Sequence, residues 1–189
     1  MGLAKLKTKI TIEEYLNVEE ISDIKYEYID GEVYAMAGVS QSHSRITRNF
    51  LNALTNHLRD SDCEPYSENI KVRAEEATFY YPDILVTCEG EFNNKYFAEE
   101  PILIAEVISP STKQIDRREK LHAYRDMPSV IEYVIVEQEK IEIEVHRRQT
   151  DGNWITHFFT DTDTEFTLES VDLTLQLSEV YRRVTFENL

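Results

Sequence analysis

One carboxylate inside an otherwise apolar segment constrains this chain more than any other feature. Glu106 interrupts the run 102–108, whose other members are all apolar. On a β-strand, Glu106 shares one face with Ile104 and Ile108, because side chains two residues apart point the same way. Burying a carboxylate is costly unless a cation compensates its charge. The strand therefore either reaches solvent near Glu106 or brings this side chain to a cation.

A second acid lies 23 residues earlier, in the pair Pro82-Asp83 before the apolar run 84–86. Proline is tolerated at the start of a strand, so Asp83 is expected near a strand end. The alternative is an ordinary turn, in which such pairs are common. The spacing also allows Asp83 and Glu106 to lie on neighbouring strands and to converge on one cation. Carboxylate oxygens suit a hard ion such as Mg²⁺, which can activate water and stabilise charge on a phosphate.

A third signal follows in the segment 113–126, which reads as a helix. Asp116, Lys120 and Tyr124 are spaced by four residues and therefore share one helix face. Asp116 and Lys120 could form an ordinary exposed ion pair of little energetic weight. Alternatively, Lys120 points back at the acids and positions a water molecule or a phosphate.

The remaining pattern predicts an α/β domain of the α+β type, in which strands outnumber helices. A capping box at Thr11 predicts a helix to about residue 19, and Asp30-Gly31 predicts a hairpin between 26–29 and 32–36. An apolar repeat of four predicts a helix over 42–59. Further strands are expected over 70–73, 79–87, 102–108, 131–137, 141–147, 154–159 and 171–175, with a helical turn over 177–182. We expect one domain over residues 1–189, with 1–10 as a loose tail.

Composition limits the partners and the compartment. Lys+Arg 20 against Asp+Glu 36 gives a formal net charge of −16, which repels polyanions at long range. The basic segment 113–125 is the local exception, and the acidic segment 13–32 is expected to be a solvated face. No apolar run approaches the ~18 residues that cross a bilayer, so no membrane partner is expected. Cys63 and Cys88 form neither a metal pattern nor a disulfide framework, which predicts free thiols in a cytoplasmic protein.

The order of these motifs resembles a large bacterial family of restriction-endonuclease-like proteins, within the PD-(D/E)XK nuclease superfamily. The resemblance covers about residues 11–180. Its matching segments are Tyr-Glu-Tyr-Ile-Asp-Gly-Glu at 26–32, Pro-Asp at 82–83, Glu-Val-Ile-Ser-Pro-Ser-Thr at 106–112, then Asp116, Lys120 and Tyr124, and Ile-Glu-Tyr at 131–133. The resemblance implies a restriction-endonuclease-like core, with a central mixed β-sheet flanked by helices, additional antiparallel strands, and a metal site at the open edge of the sheet.

The same resemblance implies roles for individual residues. Asp83 and Glu106 correspond to the two metal-binding acids, and the backbone carbonyl of Val107 is a further ligand. Glu27 corresponds to the acid that precedes the central strands and holds a metal-bound water or a second ion. Where the nuclease motif has lysine this chain has Ile108, and Lys120 is the candidate that takes its place.

The implied function is a Mg²⁺-dependent nuclease, with Mn²⁺ as a substitute and DNA as the expected nucleic-acid substrate. Attraction for the substrate must then come from the segment 113–125 and the metal, and a homodimer could align two such segments along one groove. His43 is interpreted as a cap-region residue, although the resemblance also allows it a role in the site.

Two other functions stay open. The loss of the motif lysine at Ile108 and the charge of −16 favour a catalytically inactive nuclease scaffold that acts as a binding or assembly module. A metal-free hydrolase could use Asp83 and Glu106 as an acid–base pair. This last reading gives Lys120 no clear task.

Overall fold

The computed structural model describes residues 9–67, 69–90, 92, 94, 96–109 and 115–186. The helices within these residues are α1 (Ile12–Ile21), α2 (Gln41–Leu58), α3 (Leu121–Asp126) and α4 (Leu177–Val180), with a π-helical segment over Asp116–Lys120 directly before α3. The strands are β1 (Tyr26–Ile29), β2 (Glu32–Ala35), β3 (Glu64–Ser67), β4 (Lys71–Glu75), β5 (Thr78–Tyr80), β6 (Ile84–Thr87), β7 (Phe97–Ala98), β8 (Pro101–Ile108), β9 (Glu132–Glu137), β10 (Ile143–Arg148), β11 (Trp154–Phe159), β12 (Glu165–Leu168) and β13 (Leu173–Gln176).

Local sequence signals account for the two long helices. α1 begins at the capping box, in which the Thr11 and Glu14 side chains each accept a hydrogen bond from the other's backbone N–H. α2 begins after Ser40, whose hydroxyl accepts the His43 backbone N–H at 3.0 Å. The predicted apolar stripe of α2 is buried, and its members are Ile46, Phe50, Leu54 and Leu58. The helix predicted over 42–59 is therefore confirmed to within one residue.

The central sheet has six strands in the order β11-β10-β9-β8-β6-β3. β8 and β9 are parallel, and the other neighbours are antiparallel, so the sheet is mixed. The side chains of α2 and of this sheet share one apolar core with the hairpin β12–β13. A second sheet, in the order β2-β1-β5-β4-β7, lies beside it. The predicted fold class, a mixed central sheet with flanking helices and additional antiparallel strands, is confirmed.

The single strand predicted over 79–87 is wrong. The chain forms β5 in the five-stranded sheet, breaks over Tyr81-Pro82-Asp83, and enters the six-stranded sheet as β6. Pro82 has no backbone N–H to donate to a ladder, so it favours a break at this point. The break places Asp83 at the junction of the two sheets. The short strands β3, β7 and β12 were not predicted.

The expectation of two free thiols is also wrong, because Cys63 and Cys88 form a disulfide. Cys63 precedes β3 and Cys88 follows β6, and these strands pair with Glu64 opposite Thr87. The antiparallel pairing thus brings the cysteines together, a contact that their spacing in the sequence does not show. A reducing compartment gains no support from this pair. None of the described helices is long and apolar enough to cross a membrane.

Candidate active site

Four residues singled out in the sequence converge where the two sheets meet. Glu27 lies on β1, Asp83 directly precedes β6, Glu106 lies on β8, and Lys120 ends the π-helical segment. All four are buried, with 4% to 9% of their surface exposed. They line a cavity of about 510 Å³, to which Val107 also contributes. The acidic segment 13–32 is therefore not solvated throughout, since Glu27 belongs to this site.

Lys120 stands between three carboxylates. Its Nζ lies 3.0 Å from Glu27 Oε1, 3.0 Å from Glu106 Oε1 and 3.4 Å from Asp116 Oδ1. Desolvation lowers the pKa of Lys120, but attraction to these carboxylates outweighs it and holds the pKa well above its usual value. The ammonium therefore stays charged. Of the two arrangements that the spacing allowed, the structure has the one in which Lys120 points at the acids.

Glu106 is held at both carboxylate oxygens. Its Oε1 accepts hydrogen bonds from Lys120 Nζ at 3.0 Å and the Tyr124 hydroxyl at 3.3 Å, and its Oε2 accepts the Asp83 backbone N–H at 3.4 Å. Burial raises the pKa of Glu106 well above its usual value, and neighbouring carboxylates, Asp116 first, raise it further against the opposing effect of Lys120. Negative charge at this position is costly, so additional positive charge in the cavity would stabilise the carboxylate.

Asp83 has one occupied and one open oxygen. Its Oδ2 accepts the Val107 backbone N–H at 2.7 Å and lies 3.1 Å from His43 Nε2. Its Oδ1 accepts no hydrogen bond from the residues that the structure describes. The arrangement follows from strand pairing, because Ile84 lies opposite Ala105 in the β6–β8 ladder and so brings Asp83 beside Glu106.

The π-helical segment determines where Lys120 points. The Tyr133 hydroxyl donates to the Asp116 backbone carbonyl at 3.1 Å, which ties the segment to β9. The Tyr124 ring packs against the rings of Tyr80 and Tyr133, and Lys120 Nζ lies 5.4 Å from the Tyr80 ring centroid. Single π-helical turns are rare and are frequent at functional sites. Asp116 and Lys120, four residues apart, both line the cavity.

The donor set fits a divalent ion held in part by substrate. Asp83 and Glu106 offer oxygen ligands, and Mg²⁺ is often held by one or two carboxylates together with substrate phosphates. Within the described ranges, no three side chains of His, Cys, Asp or Glu are arranged to hold a metal on their own. The open Asp83 Oδ1 and the adjoining cavity leave space for such an ion. The contact recorded for Val107 is made by its N–H, so its carbonyl remains a predicted ligand.

His43 also belongs to this site, although the sequence pattern favours a role in the helix cap. Its backbone N–H is indeed bonded within the helix cap, but its side chain is buried against Asp83. The ring Nδ1 lies 3.4 Å from Thr47 Oγ1. A signal was present in the sequence, because His43 precedes Ile46 and Phe50 at helical spacing and so continues the buried stripe of α2.

The sequence of this chain is similar to a known family and to two curated proteins. The model of the Uma2 family, described as "Putative restriction endonuclease", matches residues 12–178. Two proteins of Synechocystis sp. (strain ATCC 27184 / PCC 6803 / Kazusa), both uncharacterized, are similar in sequence. One, slr1290, is 34% identical over 180 residues, which cover 94% of each chain. The other, sll1609, is 34% identical over 153 residues, covering 78% of this chain and 86% of its own.

A solved structure shares the fold. It is the crystal structure of a "putative nuclease belonging to DUF820" from Anabaena variabilis ATCC 29413, which matches with a TM-score of 0.73. The match covers 91% of this chain and 97% of that chain at 20% sequence identity. At this identity the likeness shows the mixed α+β architecture only.

Proposed function

This chain belongs to the Uma2 family, and from that membership and the geometry of the site we propose that it is a divalent-metal-dependent nuclease. The observation that carries the proposal is one cavity in which Asp83, whose Oδ1 accepts no hydrogen bond from the described residues, lies beside Glu106 and the charged Lys120. Two acids that can hold a divalent ion, together with a lysine that can offset charge on a phosphate, are suited to phosphodiester hydrolysis. The proposed substrate is nucleic acid, with DNA as the first choice.

The proposed ligands are Asp83 and Glu106, with the Val107 carbonyl as a further one and Mg²⁺ as the ion that Mn²⁺ can replace. When bound, such an ion activates water and neutralises charge on the phosphate. His43 acts through Asp83. Its Nε2 holds Oδ2 at 3.1 Å, so it positions the carboxylate with Oδ1 toward the cavity.

Lys120 supplies fixed positive charge to the same cavity. Its ammonium orients the attacking water or offsets charge on the phosphate. It thereby takes the role of the motif lysine, whose position in this chain is occupied by Ile108. Glu27 supports this group, because its Oε1 accepts both Lys120 Nζ at 3.0 Å and the Tyr81 backbone N–H at 3.3 Å. We retain for Glu27 the proposed role of holding a metal-bound water or a second ion. The reaction is hydrolysis without a covalent intermediate.

The test is cleavage of plasmid DNA, single-stranded DNA and RNA with Mg²⁺ or Mn²⁺. We expect the wild type to cleave at least one of them, and Asp83→Asn and Glu106→Gln to cleave none, with circular dichroism unchanged. Glu165→Gln is the matched control, because Glu165 is an exposed acid on β12. Cleavage by both site variants at the wild-type rate would refute the proposal. Cleavage that survives excess chelator would favour the metal-free acid–base pair.

An inactive nuclease scaffold is the second candidate. It is favoured by the contacts of Lys120 Nζ with three carboxylates, because this ammonium already occupies part of the space beside the acids. Titration calorimetry with Mn²⁺ separates the two. Saturable binding that Asp83→Asn removes favours the nuclease, whereas absence of both binding and cleavage favours the scaffold.

The proposal includes a homodimer and a cytoplasmic location. Support for the dimer comes from β11, an edge strand of the central sheet that exposes Ile155 and Phe158. Exposed apolar side chains on an unpaired edge are typical of strands that associate with another chain.

A further inference from the structure

The described part of the basic segment, residues 115–125, does not offer the positive surface that the sequence suggested. The Arg117 guanidinium lies 2.9 Å from Glu137 and 3.6 Å from Glu142, and it also contacts Glu144. Lys120 is buried in the site. Three carboxylates around one guanidinium leave it no net positive charge to present to a polyanion.

The rest of this segment contributes little more. The Arg125 guanidinium lies 5.3 Å from the Trp154 ring centroid and 3.3 Å from His146 Nδ1, within the fold. Among the described bases of the segment, Arg118 alone is exposed. A chain with a net charge of −16 therefore needs another place to receive a nucleic acid.

A second cavity supplies three arginines at once. It has a volume of about 260 Å³ and is lined by Arg48, Arg182 and Arg183 together with Asn49. All three arginines are exposed, and none forms an ion pair with a carboxylate in the described part of the chain. Within the described ranges this opening therefore carries three positive charges without an acidic partner.

The cluster is held in place by backbone contacts. Asn49 Nδ2 donates to the carbonyls of Val180 at 3.0 Å and Arg182 at 2.9 Å, and Arg45 donates to the Arg183 carbonyl at 3.0 Å. Arg183 has a φ of 64°, in the left-handed region that non-glycine residues seldom occupy. The turn after α4 is thus fixed to α2 in a conformation that presents both of its arginines.

The cluster and the candidate active site share α2. Arg48 follows His43 by five residues, which is about 7.5 Å of helical rise. Five residues also turn Arg48 about 140° round the helix from His43, so Arg48 lies on the exposed side of α2 while His43 is buried against Asp83. A substrate strand that contacts both sites would therefore have to pass around α2.

We propose that Arg48, Arg182 and Arg183 form the contact site for the phosphate backbone of the nucleic acid. This inference rests on the proposed nuclease function. Guanidinium groups match the geometry of phosphate oxygens and donate to them in pairs. Because the net charge of −16 opposes binding of a polyanion, a cluster of this kind would determine where the substrate strand lies.

The test is binding of a fluorescently labelled DNA duplex and single strand, measured by anisotropy in EDTA over a range of salt concentrations. The variant is Arg182→Gln/Arg183→Gln. Its matched control is Arg59→Gln/Lys140→Gln, which removes the same charge from exposed residues paired with Asp60 and Glu142. We expect the variant to raise the Kd about tenfold or more. Two lost phosphate contacts should reduce the salt slope by about 1.8 for the duplex and about 1.4 for the single strand. The control should leave the slope unchanged.

Two results would overturn the inference: equal weakening by the variant and its control, or no binding by the wild type in EDTA. Arg182→Lys/Arg183→Lys is the control for misfolding caused by substitution at these two positions. It keeps both positive charges and should retain most of the binding. Arg48→Gln added to the variant should weaken binding further. Metal-dependent cleavage is scored separately. Arginine-dependent binding without any cleavage would support the contact site and refute the nuclease, and cleavage indifferent to the arginines would do the reverse.

Discussion

Lys120 is the residue on which the acidic site depends most. Its ammonium is within 3.4 Å of Glu27, Glu106 and Asp116, and the whole group is buried. Removing one partner of a buried ion cluster leaves the others uncompensated, which costs more than the cluster contributes while intact. Stability and site chemistry are therefore coupled through this side chain.

We expect Lys120→Met to lower the free energy of unfolding by about 3 kcal/mol or more, measured by urea denaturation in EDTA. The neutral side chain has a similar length, so the loss reports uncompensated carboxylates rather than a cavity. Glu106→Gln in the Lys120→Met background should recover part of the lost free energy of unfolding, because it removes one of the carboxylates that Lys120 no longer neutralises. A cost under about 1 kcal/mol for Lys120→Met would contradict the ion cluster as described.

Individual site residues were predictable where one side chain broke a pattern. Glu106 interrupts an apolar strand, and Lys120 follows Asp116 at helical spacing. Both can therefore be identified as candidate site residues from the sequence alone. His43 does not, because a histidine at a helix start fits a capping role equally well. Its contact with Asp83 depends on how α2 packs against the central sheet, which no local pattern contains.

At the level of elements, hydrophobic periodicity predicts the helices and strands whose bounds depend on contacts within one segment. α2 was predicted to within one residue because its buried stripe repeats along one segment. The split of 79–87 into β5 and β6 was missed because it depends on partners elsewhere in the chain. β5 pairs with β1 and β4, whereas β6 pairs with β3 and β8. The same split creates the sheet junction at which Asp83 stands.

The disulfide between Cys63 and Cys88 ties the edge strand β3 to β6. We expect Cys63→Ser/Cys88→Ser to lower the free energy of unfolding by roughly 2–4 kcal/mol, as expected for a closed loop of this size. Reducing agent should destabilise the wild type to the same extent and leave the variant unchanged. Two titratable thiols in the native, unreduced wild type would contradict the bond.

At the scale of the whole molecule, the net charge of −16 is distributed unevenly. Arg117 and Lys120 neutralise acids inside the fold, while Arg48, Arg182 and Arg183 face solvent without acidic partners in the described chain. Like charge also acts between copies of the protein and opposes their association at low salt. In a dimer, the free energy gained by burying apolar side chains must therefore exceed the electrostatic repulsion between the two copies.

Edge strand β11 is the surface at which we expect this contact. Ile155 and Phe158 are 46% and 62% exposed and lie on opposite faces of the strand, so edge-to-edge pairing of two copies would cover both. By light scattering after size exclusion, we expect a dimer that strengthens as salt rises, because screening weakens the repulsion. Phe158→Glu should give a monomer, while Ile21→Glu, the same kind of change at an exposed position of α1, should stay dimeric. A wild type that remains monomeric at every salt concentration, or a Phe158→Glu variant that still dimerises, would rule out association through this edge.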